Sequence, residues 1–470
     1  MSHNSRRTTL WTFVVTSIAL VMVTLDNLVV TTALPVIKRE LNASLESLEW
    51  TVNAYTLTFA VFLLTGAALG DRFGRRRMFL VGLVIFTGAS VAAALAPNVE
   101  VLVAARAIQG LGGALVTPLT LTLLSAAVPA EKRAVALGAW GGIGGLAVAL
   151  GPLVGGAIVQ GWAWQWIFWI NVPIGLILLP IAWRQVAESH GPNERLDLPG
   201  VVLASLGLFG VVWGLVRGQG QGWTSPEILL ALGIGSAFVV AFVLWERRAQ
   251  APMLPLRFFR NRTFALTNAA SFAMYFGMFG AVFLLAQFFQ VAQGDSPLTS
   301  GLKILPWTAM PVVVAPIAGA LADRVIPGPR IVAVGLVLQS AGLFWLAAIT
   351  SANVAYLDLV IPFILSGMGM GLFFAPVANV IMSSVRPIEE GQASGTNNAI
   401  RELGGVFGVA VLASVFASRG GYESPHIFTT GLTAATTVGA IVVALGALVA
   451  FAVPASPMMT ASPETAAEVG

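Results

Sequence analysis

The chain has 470 residues, 57% of them hydrophobic and only 10% charged, with a net charge of +4 and a mean hydropathy of +0.85. A soluble domain carries about a quarter charged residues, so the composition speaks against a soluble enzyme, a nucleic-acid binder or a disordered chain and for a polytopic membrane protein. No cysteine is present, and His3, His190 and His426 lie far apart, which removes disulfides, thiol chemistry and a Cys/His metal cage.

Apolar runs punctuated by Gly, Pro or charge predict fourteen membrane helices. They cover 11–36, 48–69, 78–96, 100–127, 135–159, 166–184, 198–216, 226–245, 263–291, 299–322, 331–350, 356–384, 401–418 and 429–453. The first run follows Arg6 and Arg7 but is too long for a signal-peptide core, contains Asp26 and leads into more spans, so it reads as a retained helix. With a cytoplasmic N-terminus, nineteen Lys and Arg fall in inner segments and five in outer ones. That asymmetry supports the orientation and an even number of spans. The high pI then reflects topology and contact with anionic inner-leaflet lipid, not nucleic acid.

An internal repeat is visible. Ala67-Ala-Leu-Gly-Asp71-Arg72, ending predicted helix 2, is echoed by Gly319-Ala-Leu-Ala-Asp323-Arg324 at the end of helix 10. Pro129-Ala-Glu131 is echoed by Pro387-Ile-Glu389, again eight helices on. An even offset means parallel repeats, and eight exceeds six by one inserted pair, for which helices 7 and 8 are the natural choice. The expected organisation is a cytoplasmic segment 1–10, a six-helix bundle 11–184, an inserted pair 198–245, a second six-helix bundle 263–453 and a cytoplasmic tail 454–470.

In helix 1, Asp26 stands out as the one carboxylate clearly inside a predicted span, and such a group is a functional-site candidate by default. Arg106 in helix 4 is the one basic residue deep in a span. Counting from the outer helix ends, the two differ in depth by about 6 Å, so they can pair across the bundle. A carboxylate balanced between apolar surroundings and a nearby cation can exchange a proton for a cationic substrate. Between helices 2 and 3, Asp71, Arg72, Gly74, Arg75, Arg76 and Arg77 form a charged loop, for which topology anchoring is the plain explanation. In helix 5, Gly151, Pro152, Gly155 and Gly156 permit close helix approach and bending. Gly367 to Gly371 and Gly404 to Gly408 read as packing surfaces. Trp50, Trp162, Trp164, Trp166 and Trp223 fall where an outer aromatic belt is expected. Tyr55, Gln109, Trp140, Asn171, Gln287, Gln290 and Phe374 are the cavity candidates, offering aromatic faces and neutral polar contacts to an amphipathic cation.

Taken in order, these motifs resemble the major facilitator superfamily, specifically its fourteen-helix drug–proton antiporter branch. The resemblance rests on Leu25-Asp26 with Ala33-Leu34-Pro35, Gly70-Asp71-Arg72-Phe73-Gly74-Arg75-Arg76-Arg77, Arg106-Ala-Ile-Gln109-Gly110, Gly151-Pro152-Leu-Val-Gly155-Gly156 and Trp164-Gln-Trp166-Ile-Phe168-Trp-Ile-Asn171-Val-Pro173. It departs from the superfamily pattern at Ala67, where the loop motif usually begins with Gly. It implies two six-helix bundles plus two inserted helices, working by alternating access. It implies that Arg106 assists proton coupling, that the loop acts as a latch between the halves, and that the helix 5 run shapes and seals its interface. No Walker loop, nucleophile elbow or HExxH occurs, so ATP-driven pumping and hydrolysis have no support.

The expectation is therefore a secondary transporter, not an enzyme, that needs no cofactor and is driven by the proton gradient. It would export lipophilic, often cationic compounds as a monomer of the bacterial inner membrane. Export of one metabolite or antibiotic, or nutrient uptake, is the nearest alternative; a non-transporting receptor is more distant.

Overall fold

Within a bilayer every backbone N–H and C=O must find its partner in the protein, which turns long apolar segments into helices. The structure, a computed structural model, describes residues 3–190, 197–322, 325–386 and 389–454. Fourteen helical spans run through it. They are α1 (His3–Glu40), α2 (Leu45–Phe73), α3 (Arg75–Ala94), α4 (Val99–Ala127), α5 (Ala130–Gly161), α6 (Trp166–Gln185) and α7 (Leu198–Gln221). α8 (Pro226–Glu246), α9 (Arg262–Ala292), α10 (Pro297–Leu321), α11 (Gly328–Ile349), α12 (Tyr356–Ser383), α13 (Glu390–Arg419) and α14 (Pro425–Phe451) follow. Thirteen qualify as membrane spans by length and hydropathy among the described residues, and α5 carries the shorter apolar stretch Leu150–Gly161. The chain is a multi-pass membrane protein.

Local chemistry sets the helix ends. Ser44, Asn98, Ser225, Ser296 and Ser424 each cap a helix start by accepting from the backbone N–H three residues on. α10 is interrupted at Ala309, between Pro306 and Pro311, where two missing N–H groups weaken the ladder. α9 closes in a π turn, Phe288–Ala292, before Gly294 reverses the chain at φ 72°.

The helix pairings repeat. α1 packs on α4, α5 and α6, while α2 and α3 pack on α4, and α3 on α6. Eight helices on, α9 packs on α12, α13 and α14, α10 and α11 pack on α12, and α11 on α14. The two sets meet along α2–α13 and α5–α10, a pair of seams that the same offset exchanges. α7 and α8 pack on each other, and α7 lies on α2 and α13, outside the seam. The echoing residues Asp323, Arg324 and Pro387 lie outside the described residues. Glu389 is described: it pairs with Arg257 at 2.8 Å and Arg386 at 2.7 Å, and hydrogen bonds from Arg386 hold its carboxyl down at about 2.

Direct hydrogen bonds between the sets gather at the face remote from the N-terminus. There Gln290 Nε2 donates to the Thr32 carbonyl at 2.8 Å, and Ser296 Oγ donates to Gln160 Oε1 at 2.6 Å.

One boundary differs from expectation in a way that matters. α13 begins at Glu390, not near 401, because its polar first turns stay helical. Arg401 and Glu402 therefore lie well inside the span. Asp26 is not the only carboxylate within a helix, nor Arg106 the only deep basic residue. Glu49 of α2 is a buried acid as well, 3% exposed.

Candidate functional site: a buried carboxylate network

Asp26 sits where α1, α3, α4 and α6 converge, and it is fully buried. Its Oδ2 takes the Arg106 guanidinium Nη1 at 2.5 Å. Its Oδ1 accepts from Gln109 Nε2 at 2.8 Å and from Asn171 Nδ2 at 2.7 Å. Gln109 lies one turn after Arg106, so one face of α4 supplies both the charge and an amide. Gln109 Oε1 also accepts from Arg106 Nη1 at 2.8 Å, and Gln109 Nε2 donates to Ser90 Oγ of α3 at 2.9 Å. Arg106 Nε reaches the Thr51 carbonyl of α2 at 3.2 Å. The guanidinium lies 4.2 Å over the Tyr55 ring and 5.7 Å from that of Phe168, which adds cation–π attraction.

The physics of such a site is asymmetric. A buried pair with its remaining lone pairs satisfied is roughly neutral for stability, whereas losing one partner costs about 3–5 kcal/mol by stranding the other. Arg106 Nη2 has no hydrogen-bond partner. The arrangement therefore holds a charge that is costly to leave unmatched, with one donor left to engage another acceptor.

Three of the seven cavity candidates, Tyr55, Gln109 and Asn171, belong to this network. The other four lie elsewhere. Gln287 accepts from the Tyr422 hydroxyl at 2.5 Å, and Gln290 bridges to α1. Phe374 flanks Arg401 at 5.5 Å, while Trp140 is half-buried on α5 with its indole N–H unpartnered. Sequence reasoning missed Ser90 and Thr51, and nothing in their identity marks them. It also missed Arg401 and Glu402, although Ser394, Asn397, Asn398, Arg401 and Glu402 repeat at helical spacing, a polar stripe readable as one. Two belt tryptophans are corrected as well. Trp164 is fully buried, its indole N–H donating to Glu40 at 2.9 Å, and Trp50 packs on Trp213 and Phe209. Trp162, Trp166 and Trp223 are exposed.

The charged loop closes on its own half. Asp71 Oδ1 pairs with Arg75 at 2.9 Å, one turn on. Glu188, just beyond α6, accepts the backbone N–H groups of Arg76 at 2.8 Å and Arg77 at 3.3 Å. Arg76 Nη1 also reaches the Trp183 and Val186 carbonyls, while Arg72 lies beside the Phe73 ring. Gly74 takes φ 104°, and a Cβ there would stand 2.9 Å from the Glu188 carboxyl carbon, so the turn and the approach both require glycine. Among the described residues these ion pairs all join elements of the first six-helix set.

On α5, Gly151 and Gly155 press against α1, where a Cβ on Gly155 would meet Val29 O at 2.7 Å. Gly156 faces the opposite way: its Cβ would lie 2.3 Å from the Pro297 carbonyl of α10. The Pro152 carbonyl meets Gly301 of α10 just as closely. The run thus joins α1 to the α5–α10 seam.

Two six-helix sets with repeated pairings, a further helix pair packed outside their seam and a charged network enclosed in one set make up a multi-pass membrane fold of two like halves. The Major Facilitator Superfamily profile matches residues 16–409, and the chain belongs to that superfamily. It is similar to the multidrug resistance protein Stp of Mycobacterium tuberculosis, 37% identical over 415 residues that cover 88% of this chain and 76% of the relative. It is 36% identical to the tetracenomycin C resistance and export protein of Streptomyces glaucescens over 416 residues, 88% of this chain and 77% of the relative. A peptide transporter POT in complex with sulfate superposes with a TM-score of 0.69 over 94% of each chain at 16% identity, a likeness of fold alone. The chain is a transporter of small molecules.

Proposed function

We propose that this transporter exports lipophilic, often cationic compounds in exchange for protons, with both termini in the cytoplasm of a bacterial cell. The observation that carries the reading is Asp26, fully buried and held by Arg106, Gln109 and Asn171. A carboxylate so enclosed changes its protonation only when its surroundings rearrange, which is what coupling to a conformational cycle requires. In this orientation the face joined by Gln290–Thr32 and Ser296–Gln160 is the outer one, closed to the outside. Proton uptake at Asp26 from the outside would release substrate, and proton loss to the inside would permit reloading. The Asp71–Arg75 and Glu188 cluster is the inner latch, favouring the outward-open state when it bridges the halves.

Proteoliposomes test this. An imposed pH gradient is expected to drive dye movement that a protonophore abolishes; binding without flux, or flux indifferent to the gradient, sinks the reading. A narrower range, one antibiotic or metabolite, is the second reading, favoured by a relative named for resistance to tetracenomycin C alone.

A further inference from the structure

The Asp26 network leaves the charged centre of the other half without a role. α13 packs on α9 through Gly404 and Gly408, whose Cβ positions would meet the Phe272 and Phe276 carbonyls. On another side it packs on α2, through Val406 and Ala410 against the residues around Trp50 and Ala54. At 100° per residue, Ser394, Asn398 and Glu402 fall on the strip between those two packed faces. All three are half-buried, whereas Val406 and Ala410 beside them are fully buried. Glu402 is twelve residues into α13, about 18 Å along its axis. It lies within electrostatic reach of Tyr55 on α2, across the seam between the halves.

Its chemistry is unspent. Glu402 Oε2 has no hydrogen-bond partner, and no ion pair forms to the carboxylate among the described residues. Arg401, its neighbour in sequence, turns to α9 and α12: it bonds the Tyr275 hydroxyl and Asn398, and lies 4.5 Å from the Tyr275 ring and 5.5 Å from that of Phe374. Gly405, one turn beyond Glu402, packs closely on the Phe279 ring, 3.3 Å from where its Cβ would stand, and that ring stacks on Tyr275 at 5.7 Å. A carboxylate with a buried, unpartnered oxygen at the seam between two halves, one turn or less from residues that pack on the Tyr275, Phe279 and Phe374 rings, has the chemistry a planar organic cation needs. Asp26 cannot take that part, since both its oxygens are engaged inside a fully enclosed network.

We propose that Glu402 is the residue that recognises the positive charge of the transported molecule, and that the charge-recognition and proton-exchange sites are separate carboxylates in opposite halves. The inference rests on the reading of the protein as an exporter of lipophilic cations. Tyr55, under the Arg106 guanidinium and within electrostatic reach of Glu402, is the residue common to the surroundings of both carboxylates.

The test is equilibrium binding to the purified full chain in lipid nanodiscs, with ethidium as the cationic probe and an uncharged aromatic dye as its control. Glu402→Gln is expected to weaken ethidium binding about tenfold or more while leaving the neutral dye unaffected, because a charged contact is lost and the shape is kept. Glu402→Asp should recover part of the loss, and Asp26→Asn should keep the wild-type preference for ethidium over the neutral dye whatever its absolute affinity. Unchanged ethidium affinity in Glu402→Gln, or an equal loss for both dyes, overturns the proposal. So does a wild type that binds the neutral dye and not ethidium. Failure of proton coupling in liposomes with this binding pattern intact would instead overturn the antiport reading alone.

Discussion

At the scale of single residues, the site is a set of matched donors around one carboxylate. Asn171→Ala and Gln109→Ala each remove one donor to Asp26 Oδ1, worth about 1.5–3 kcal/mol for a hydrogen bond to a charged group. Each is expected to lower transport several-fold and alter its pH profile without changing substrate affinity; an unaltered pH profile would detach that residue from the proton site. Asp26 and Arg106 were legible in the sequence because a charge in an apolar run is conspicuous. Gln109 and Asn171 were legible only as polar residues without an assigned partner. Ser90 was not legible at all, since serines often bond their own helix backbone, as Ser90 Oγ also does to the Phe86 carbonyl at 2.8 Å.

At the scale of elements, the contacts between helices are made by missing side chains. Gly156→Leu would drive a side chain into the Pro297 carbonyl of α10, so the α5–α10 seam cannot close and transport should fall to background while the protein still inserts. Normal flux in Gly156→Leu would show that this contact is dispensable. At the inner loop, Asp71→Asn removes the 2.9 Å pair with Arg75 and is expected to slow transport several-fold while preserving binding. A variant that loses both equally would argue against a latch. The α13 boundary shows where sequence reading gives out. Hydropathy averages over a window and rejects the segment from Glu390 to Ile400, yet those polar residues line a strip facing the protein interior, so the helix continues. A search for polar residues at helical period would have extended it; a search for apolar ones could not.

At the scale of the whole molecule, duplication was visible in the sequence through two short echoes eight helices apart, and the helix pairings recur at the same offset. What no echo could reveal is which face is closed, because that depends on contacts between the halves. The chain lacks cysteine, so a designed pair reports without background. Gln160→Cys with Ser296→Cys puts two thiols at positions whose side chains touch at 2.6 Å across the α5–α10 seam, where a reducible thiol cross-linker can join them. Cross-linking should lock that face and stop transport, and reductant should restore it; transport that persists in the fully cross-linked protein would mean that the seam does not open during the cycle. The central claim remains that Asp26 carries the proton. The most direct measurement is proton movement elicited by substrate, read with a pH-sensitive dye enclosed in proteoliposomes. The wild type should move protons when substrate is added, and Asp26→Asn should bind the same substrate and move none; substrate-elicited proton movement at the wild-type rate in Asp26→Asn would contradict the account.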